Sequence, residues 1–312
     1  MLEQLDLFGR PDPNRVSQKE NSCLDTREVQ EALAGFPRLY LGTSSWAFPG
    51  WEGLVFEGEY KQPDLAKDGL RAYSKLALFR TVSLDRTYYR PMTEPEYRAL
   101  ASQVPEDFRF VVKAPRELLR QALASGTTTS FYQSFLEPTQ RGLSSKLGVV
   151  LLQFPPGIGA DFGSSFLGAL SQFVRSLPKE IPFSLELRDE HLWGAKLSEA
   201  LHGSQVSVCP SIHPKLPCPT QQLLTVPPRP DTALVFRWNL RPSLSFEDAR
   251  NKFAPFSKLS LPDTKRREVL VNLVSRALEA GRSVYVTANN KAEGCSPLTL
   301  LRFLEELSSR KK

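Results

Sequence analysis

The sequence predicts an α/β protein: a single (β/α)8 TIM barrel over residues 37–312, preceded by an N-terminal tail over residues 1–36. Three observations carry this reading. Eight short runs rich in Val, Leu, Phe or Tyr recur along the chain, each closed by polar or turn residues. Helical patterns separate them, and strands alternating with helices over about 270 residues are the signature of such a barrel. The runs are also near-continuously apolar, as parallel strands buried on both faces require. An open doubly wound sheet is the competing architecture, but no Gly-x-Gly-x-x-Gly follows the first run.

The tail opens with Gln4-Leu5-Asp6-Leu7-Phe8 and continues as a polar, proline-bearing linker. A short helix at TREVQEALAGF (26–36) is placed to plug the N-terminal end of the barrel. RLYLGTS (38–44) is the first strand, followed by LAKDGLRAYSKLALF (65–79), with Leu65, Leu70, Tyr73, Leu76 and Ala77 at helical spacing. RTVSLD (80–85) is the second strand. In TEPEYRALASQV (93–104), Thr93 as N-cap and Glu96 three residues later form a capping box. FRFVVK (108–113) and LGVVLLQF (147–154) are strands three and four, and SFLGALSQFVRSL (165–177) is an amphipathic helix. FSLELR (183–188) and QVSVCP (205–210) are strands five and six; residues 211–232, with six prolines, read as a long loop. ALVFRW (233–238), the helix TKRREVLVNLVSRALEA (264–280) and SVYVTA (283–288) follow. SPLTLLRFLEELSS (296–309) closes the chain, with Ser296 as cap and Pro297 at the first helical position.

The composition is that of a globular chain: 312 residues, 41% hydrophobic and 24% charged. A net charge of +6 permits anionic partners but is too mild to argue for nucleic acid alone. No stretch approaches the roughly 18 apolar residues of a membrane span, and no basic region followed by an apolar run marks a secretory signal. Cys23, Cys209, Cys218 and Cys295 form no Cys-x-x-Cys pair and suggest no disulfide framework, which fits a reduced, cytoplasmic setting. Cys209, His213 and Cys218 lie close together, but a structural zinc site wants four ligands and no fourth is near. With three histidines in the chain, neither a metal site nor another cofactor is expected.

Barrels of this kind carry their chemistry at the C-terminal ends of the strands. Those ends hold Trp46 after strand one, Asp85, Tyr88 and Tyr89 after strand two, Lys113 on strand three and Gln153 on strand four. Strand five offers Glu186 and Arg188, strand seven Arg237 and Asn239, and strand eight Asn289, Asn290 and Lys291. Four cations facing two carboxylates, amides and aromatics describe a pocket for something anionic and ring-bearing, and arginine recognition of phosphate or carboxylate is the simplest physical reading. Acid–base chemistry by Asp85 or Glu186, with Lys113 tuning the field, is the candidate catalytic role. Glu186 and Arg188 have the same parity and face the same way, which suits either a ligand site or an internal ion pair. Trp46 suits either core packing or a stacking platform.

At these residues LGTSSWAFPGWEG, TVSLDRTYYR, DFRFVVKAPREL, LGVVLLQFPP, LELRDEHLW and VTANNKAEGCSPLTLLRFLEEL resemble, in order, the motifs of the YecE-like family, domain of unknown function 72. The resemblance spans about residues 38–309. It implies a TIM-barrel fold and a pocket without an established activity, and it carries over to Trp46, Tyr89, Lys113, Gln153, Glu186, Arg188, Arg237, Asn289 and Asn290. The chain departs from the pattern at Ser83, where the family has Glu, and at Asp85, where it has Asn. Two histidine positions of the family pattern are filled here by Glu117-Leu118-Leu119 and by Asn239 of Arg237-Trp238-Asn239-Leu240.

Gln4-Leu5-Asp6-Leu7-Phe8 resembles the pentapeptide with which bacterial proteins bind the replicative sliding clamp. Leu7 and Phe8 would fill an apolar pocket while Gln4 bonds at its rim. The expectation is therefore a protein of DNA metabolism, tethered to the clamp and binding or processing a nucleotide or nucleic-acid phosphate at the barrel mouth. The alternatives are a small-molecule enzyme or binding protein for an anionic metabolite and a non-catalytic scaffold. Whether the protein is an enzyme, and its oligomeric state, do not follow from the sequence.

Overall fold

The computed structural model describes residues 16–310. The clamp-like segment, residues 4–8, lies outside them. Nine strands form one parallel sheet: β1 (Leu39–Thr43), β2 (Thr81–Leu84), β3 (Arg109–Lys113), β4 (Leu147–Phe154), β5 (Phe183–Leu187), β6 (Val206–Val208), β7 (Ser211–Ile212), β8 (Leu234–Trp238) and β9 (Val284–Ala288). Their order is β6-β5-β4-β3-β2-β1-β9-β8-β7. β1 therefore pairs with β2 on one side and with β9 on the other, Leu39 lying opposite Val284.

The sixth expected strand differs from its sequence reading. β6 and β7 stand at opposite ends of the sheet, yet only Cys209 and Pro210 separate them. The Cys209 N–H donates to the Leu185 carbonyl of β5 at 2.8 Å, and the Arg237 N–H of β8 donates to the Pro210 carbonyl at 3.0 Å. Pro210 has no N–H to offer β5, so pairing passes from one neighbour to the other at this step. The sheet is accordingly curled until its two ends come within two residues of chain.

Alternation within the strands sorts the two faces. Phe110, Val112, Leu185, Leu187, Phe236 and Val286 point outward and join the buried faces of the helices in one large core. Each such side chain, fully buried, contributes roughly 1.5–3 kcal/mol. Val111, Val149, Leu151, Cys209, Val235 and Tyr285 point inward and form a separate cluster on the concave face. That face turns polar toward the C-terminal strand ends, where the loops gather.

The helices follow the expected alternation with local changes. The first after β1 is Gln62–Lys75; Pro63 sits in its first turn, where a missing N–H costs nothing. Glu94–Ala101 has the capping box, with the Thr93 hydroxyl accepting from the Glu96 N–H. The stretch read as a loop contains a helix, Pro219–Thr225. In the closing helix Ser296 is the first helical residue rather than the cap, and Cys295 stands at the cap position. The described part of the N-terminal segment is docked rather than free: Val16 and Leu24 are buried, and the Lys19 N–H donates to the Val55 carbonyl at 2.9 Å. The helix Arg27–Ala34 buries Val29 and Leu33 and packs against the closing helix instead of plugging the sheet. The space it was expected to fill holds the stacked rings of Tyr40 and Tyr285, 4.6 Å apart.

Candidate functional site

Inward positions near the strand ends are polar, among them Ser83, Lys113, Gln153, Glu186, Ser211 and Arg237. At the site a polar residue at inward parity stands between apolar outward ones, as in Leu185-Glu186-Leu187 and Phe236-Arg237-Trp238. Register sets Gln153 beside Glu186 and Ser211 beside Arg237. Asp85 follows β2 directly and opens a short turn, Asp85–Tyr88; its Oδ1 accepts from the Ser83 hydroxyl at 2.7 Å.

Glu186 is the hub. Its side chain is 0% exposed, and both oxygens are occupied. Oε2 accepts from Arg237 Nη1 at 2.6 Å. Oε1 accepts from Asn239 Nδ2 at 3.0 Å, from Ser211 Oγ at 3.1 Å, and from Arg188 Nε and Nη2 at 3.3 Å each. Burial alone would raise its pKa, but Arg237, Arg188 and Lys113 outweigh burial and hold the carboxyl far below its ordinary range. A carboxylate so buried, paired and held in its ionised form is a weak proton acceptor for a substrate. Arg237 reaches further, donating to Gln153 Oε1 at 3.0 Å and lying 3.5 Å from Asp85 Oδ2. The Lys113 ammonium sits 3.0 Å from the same Asp85 oxygen. Burial works to raise the Asp85 pKa, yet Lys113 and Arg237 keep it below the ordinary value. Lys113, 6% exposed, is pushed down to about 8 by burial, which the Asp85 charge only partly opposes.

These groups line a cavity of about 270 Å3. Tyr88 and Tyr89 form one lip, edge to face with centroids 5.5 Å apart, and Tyr89 is 83% exposed. Phe246, 62% exposed, is on the lining too, with Lys291 Nζ 4.1 Å from its ring centroid. His213 also lines the cavity; burial and then the Arg188 charge push its pKa down to about 4, so it is neutral at neutral pH. Two further cavities adjoin along the loop after β4: one of about 250 Å3 sharing Gln153 and Pro155, and one of about 700 Å3 sharing Pro156 and Arg188. The loop is tied down by Asp189, whose carboxylate accepts from the N–H groups of Gly157 at 2.6 Å and Gly159 at 3.1 Å.

Asp85, Tyr89, Lys113, Gln153, Arg188, Arg237, Asn239 and Asn289 thus line one cavity, with Glu186 bonded beneath it. Asn289 is held by Ser44, to whose Oγ its Nδ2 donates at 2.8 Å. Two expected ligand residues lie elsewhere. Trp46 is buried, donating its indole N–H to the Leu65 carbonyl at 2.8 Å, and packs under the first helix after β1. Asn290 is buried, and its Oδ1 accepts from the Ser296 N–H at 2.8 Å and hydroxyl at 2.7 Å, capping the closing helix. Sequence reasoning gave no site role to Phe246 or Ser211, and weighed His213 only as a zinc ligand with Cys209 and Cys218. Phe246 opens a helix, Phe246–Phe253, in a stretch without periodic signal, and Ser211 was hidden in the proline-rich stretch. Among the described residues no group of three or more His, Cys, Asp or Glu is placed to hold a metal ion. No helix among them is long and apolar enough to cross a membrane.

A profile of the family described as protein of unknown function DUF72 matches residues 40–312. The chain is similar to a DUF72 family protein from Thermotoga maritima at 23% identity, with a TM-score of 0.63 over 86% of this chain and 98% of that one. It is also similar to a DUF72 family protein from Enterococcus faecalis at 20% identity, with a TM-score of 0.61 over 86% and 95%. Likeness at such identities speaks to the fold. No curated protein matches the chain.

Proposed function

Because this chain belongs to DUF72, a family of unknown function, we propose its role from the site itself: it binds or processes a phosphate-bearing ligand at the C-terminal ends of the strands. One observation carries the reading. The cavity lining holds four cations, Lys113, Arg188, Arg237 and Lys291, against the two carboxylates Asp85 and Glu186 on and beneath it, a surplus of two positive charges. Lys291 has no carboxylate partner among the described residues and rests on an aromatic ring instead. An anion entering here meets preplaced donors in a partly dry setting, where a charge-assisted bond contributes about 1.5–3 kcal/mol. The exposed rings of Tyr89 and Phe246 at the lip suit the stacking of a base, which favours a nucleotide or nucleic-acid end.

We take β6 and β7 as two halves of one strand bent at Pro210, which makes the sheet an eight-stranded barrel and its C-terminal end a single mouth. The setting in DNA metabolism rests on Gln4-Leu5-Asp6-Leu7-Phe8, whose pattern supports docking on a sliding clamp; full-length protein is expected to bind purified clamp, and Leu7→Ala/Phe8→Ala to abolish binding.

Calorimetric titration with inorganic phosphate, a nucleoside monophosphate and a short single-stranded oligonucleotide tests the site. Arg188→Ala and Lys291→Ala are each expected to weaken binding by about tenfold or more. Equal affinities in both variants and the parent would sink the proposal. The free metabolite is the second reading, favoured by a cavity below the roughly 300–1,000 Å3 of most ligand pockets; phosphate binding without any gain from the oligonucleotide would select it.

A further inference from the structure

The charge cluster at the cavity floor has an uneven count. Lys113, Arg188 and Arg237 meet Asp85 and Glu186, three positive charges against two negative, a net of +1. Such a surplus in a largely buried cluster is relieved by losing a proton, and a guanidinium does not lose one. The group able to do so is Lys113. Its ammonium has three protons and one carboxylate neighbour, Asp85, which it shares with Arg237. Its Nζ lies 5.4 Å from the Tyr88 ring centroid and on the cavity wall. Lowered to about 8 by burial and by Arg237, and opposed by Asp85 and Glu186, it offers a neutral amine fraction near neutral pH. Other nucleophiles near the cavity are engaged. Ser211 donates to Glu186, and the buried Cys209 thiol lies in the concave cluster with its pKa pushed up by burial.

We propose that Lys113 is an imine-forming nucleophile that captures the aldehyde or ketone carbon of a phosphate-bearing carbonyl compound. The proposal rests on the anionic-ligand reading above and names the class of substrate. The neutral amine attacks the carbonyl carbon and the π pair moves to oxygen. Asp85, 3.0 Å away, passes the ammonium proton to that oxygen. A second proton converts the hydroxyl to water, which leaves. One amine, one carbonyl compound and one proton thus give one protonated imine and one water, and the imine's positive charge keeps the Asp85 contact. Arg188 and Lys291 hold the phosphate. Lys291 is the cavity's other amine, but it rests on Phe246 and has no carboxylate partner among the described residues to move its proton.

Reductive trapping tests this. Full-length protein is incubated with glyceraldehyde 3-phosphate and cyanoborohydride, whose hydride reduces the imine to a stable secondary amine, and adducts are mapped by peptide mass. The expected result is a predominant adduct on Lys113 that is slowed by inorganic phosphate and about tenfold slower with unphosphorylated glyceraldehyde. Lys113→Arg, checked for fold by circular dichroism, should lose it. A parallel arm uses an oligonucleotide carrying an aldehydic abasic sugar: trapping there assigns the carbonyl to nucleic acid, and trapping in the first arm alone assigns it to a free sugar phosphate. Adducts on Lys291, or spread over surface lysines alike in parent and Lys113→Arg, overturn the proposal. If phosphate still binds in that case, the anion site survives and the nucleophile alone is lost; if neither is seen, both readings fall.

Discussion

Both oxygens of Glu186 are filled by donors of this chain, whereas Lys113 is the surplus cation of the same cluster. The two should therefore respond differently to substitution. Glu186→Gln leaves Arg237 buried with weakened compensation, and urea unfolding should show a loss of about 3–5 kcal/mol. Lys113→Met leaves Asp85 paired with Arg237 and the cluster balanced in charge, and should cost clearly less than Glu186→Gln. A large loss in Lys113→Met would mean that the lysine is structural. Acid adds a second contrast. The Glu186 pKa is lowered by folding, so below its usual 4.5 the unfolded chain binds a proton that the native chain does not, and stability falls with pH. Glu186→Gln should flatten that acid limb. At this scale the sequence was informative about Lys113, Glu186, Arg188 and Arg237, because a charged residue within an apolar strand stands out. At Trp46 and Asn290 it was not decisive, because strand-end position alone does not say which way a side chain turns.

The loop after β9 shows how an element presents a functional group. Asn290 caps the closing helix, Gly294 takes φ +118°, where a side chain would be strained, and between them Lys291 is held over Phe246. A Cβ on Gly294 would lie 2.5 Å from the Lys258 carbonyl oxygen, so the loop also needs glycine for close approach. Asn290→Ala removes the cap and leaves the buried Ser296 hydroxyl without its acceptor. It should cost about 1–3 kcal/mol in a thermal melt, more than Thr93→Ala at the exposed capping box, where about 1 kcal/mol is expected. The strands were legible because apolar runs closed by turn residues are local signals. The helix Pro219–Thr225 was not: six prolines nearby argued for a loop, while Pro219 occupies a first-turn position that tolerates proline. β7, Ser211–Ile212, was missed for a related reason: the strand reading stopped at Pro210, and the two residues beyond it fell in the stretch read as a loop.

Over the whole molecule the site exists because the sheet curls, bringing Arg237 of β8 onto Gln153 of β4 and Glu186 of β5. No local pattern encodes such contacts across 84 and 51 residues of chain, so the sequence supplied the participants without their pairing. The four thiols divide by burial. Cys209 and Cys295 are buried and Cys23 and Cys218 exposed. Titration with a chromogenic disulfide should label two thiols quickly and the other two on unfolding; fast labelling of Cys209 would show that the sheet opens at Pro210. Finally, β1 finds its second neighbour in β9, 245 positions later (284 − 39). At about 5–20 residues per second, a ribosome leaves one edge of the first strand unpaired for roughly 12–50 s. For that interval the nascent chain displays an open, largely apolar strand edge of the kind that templates association with other chains. Translation halted before residue 284 would leave that edge permanently exposed, so synthesis is a stage at which this chain is open to aggregation.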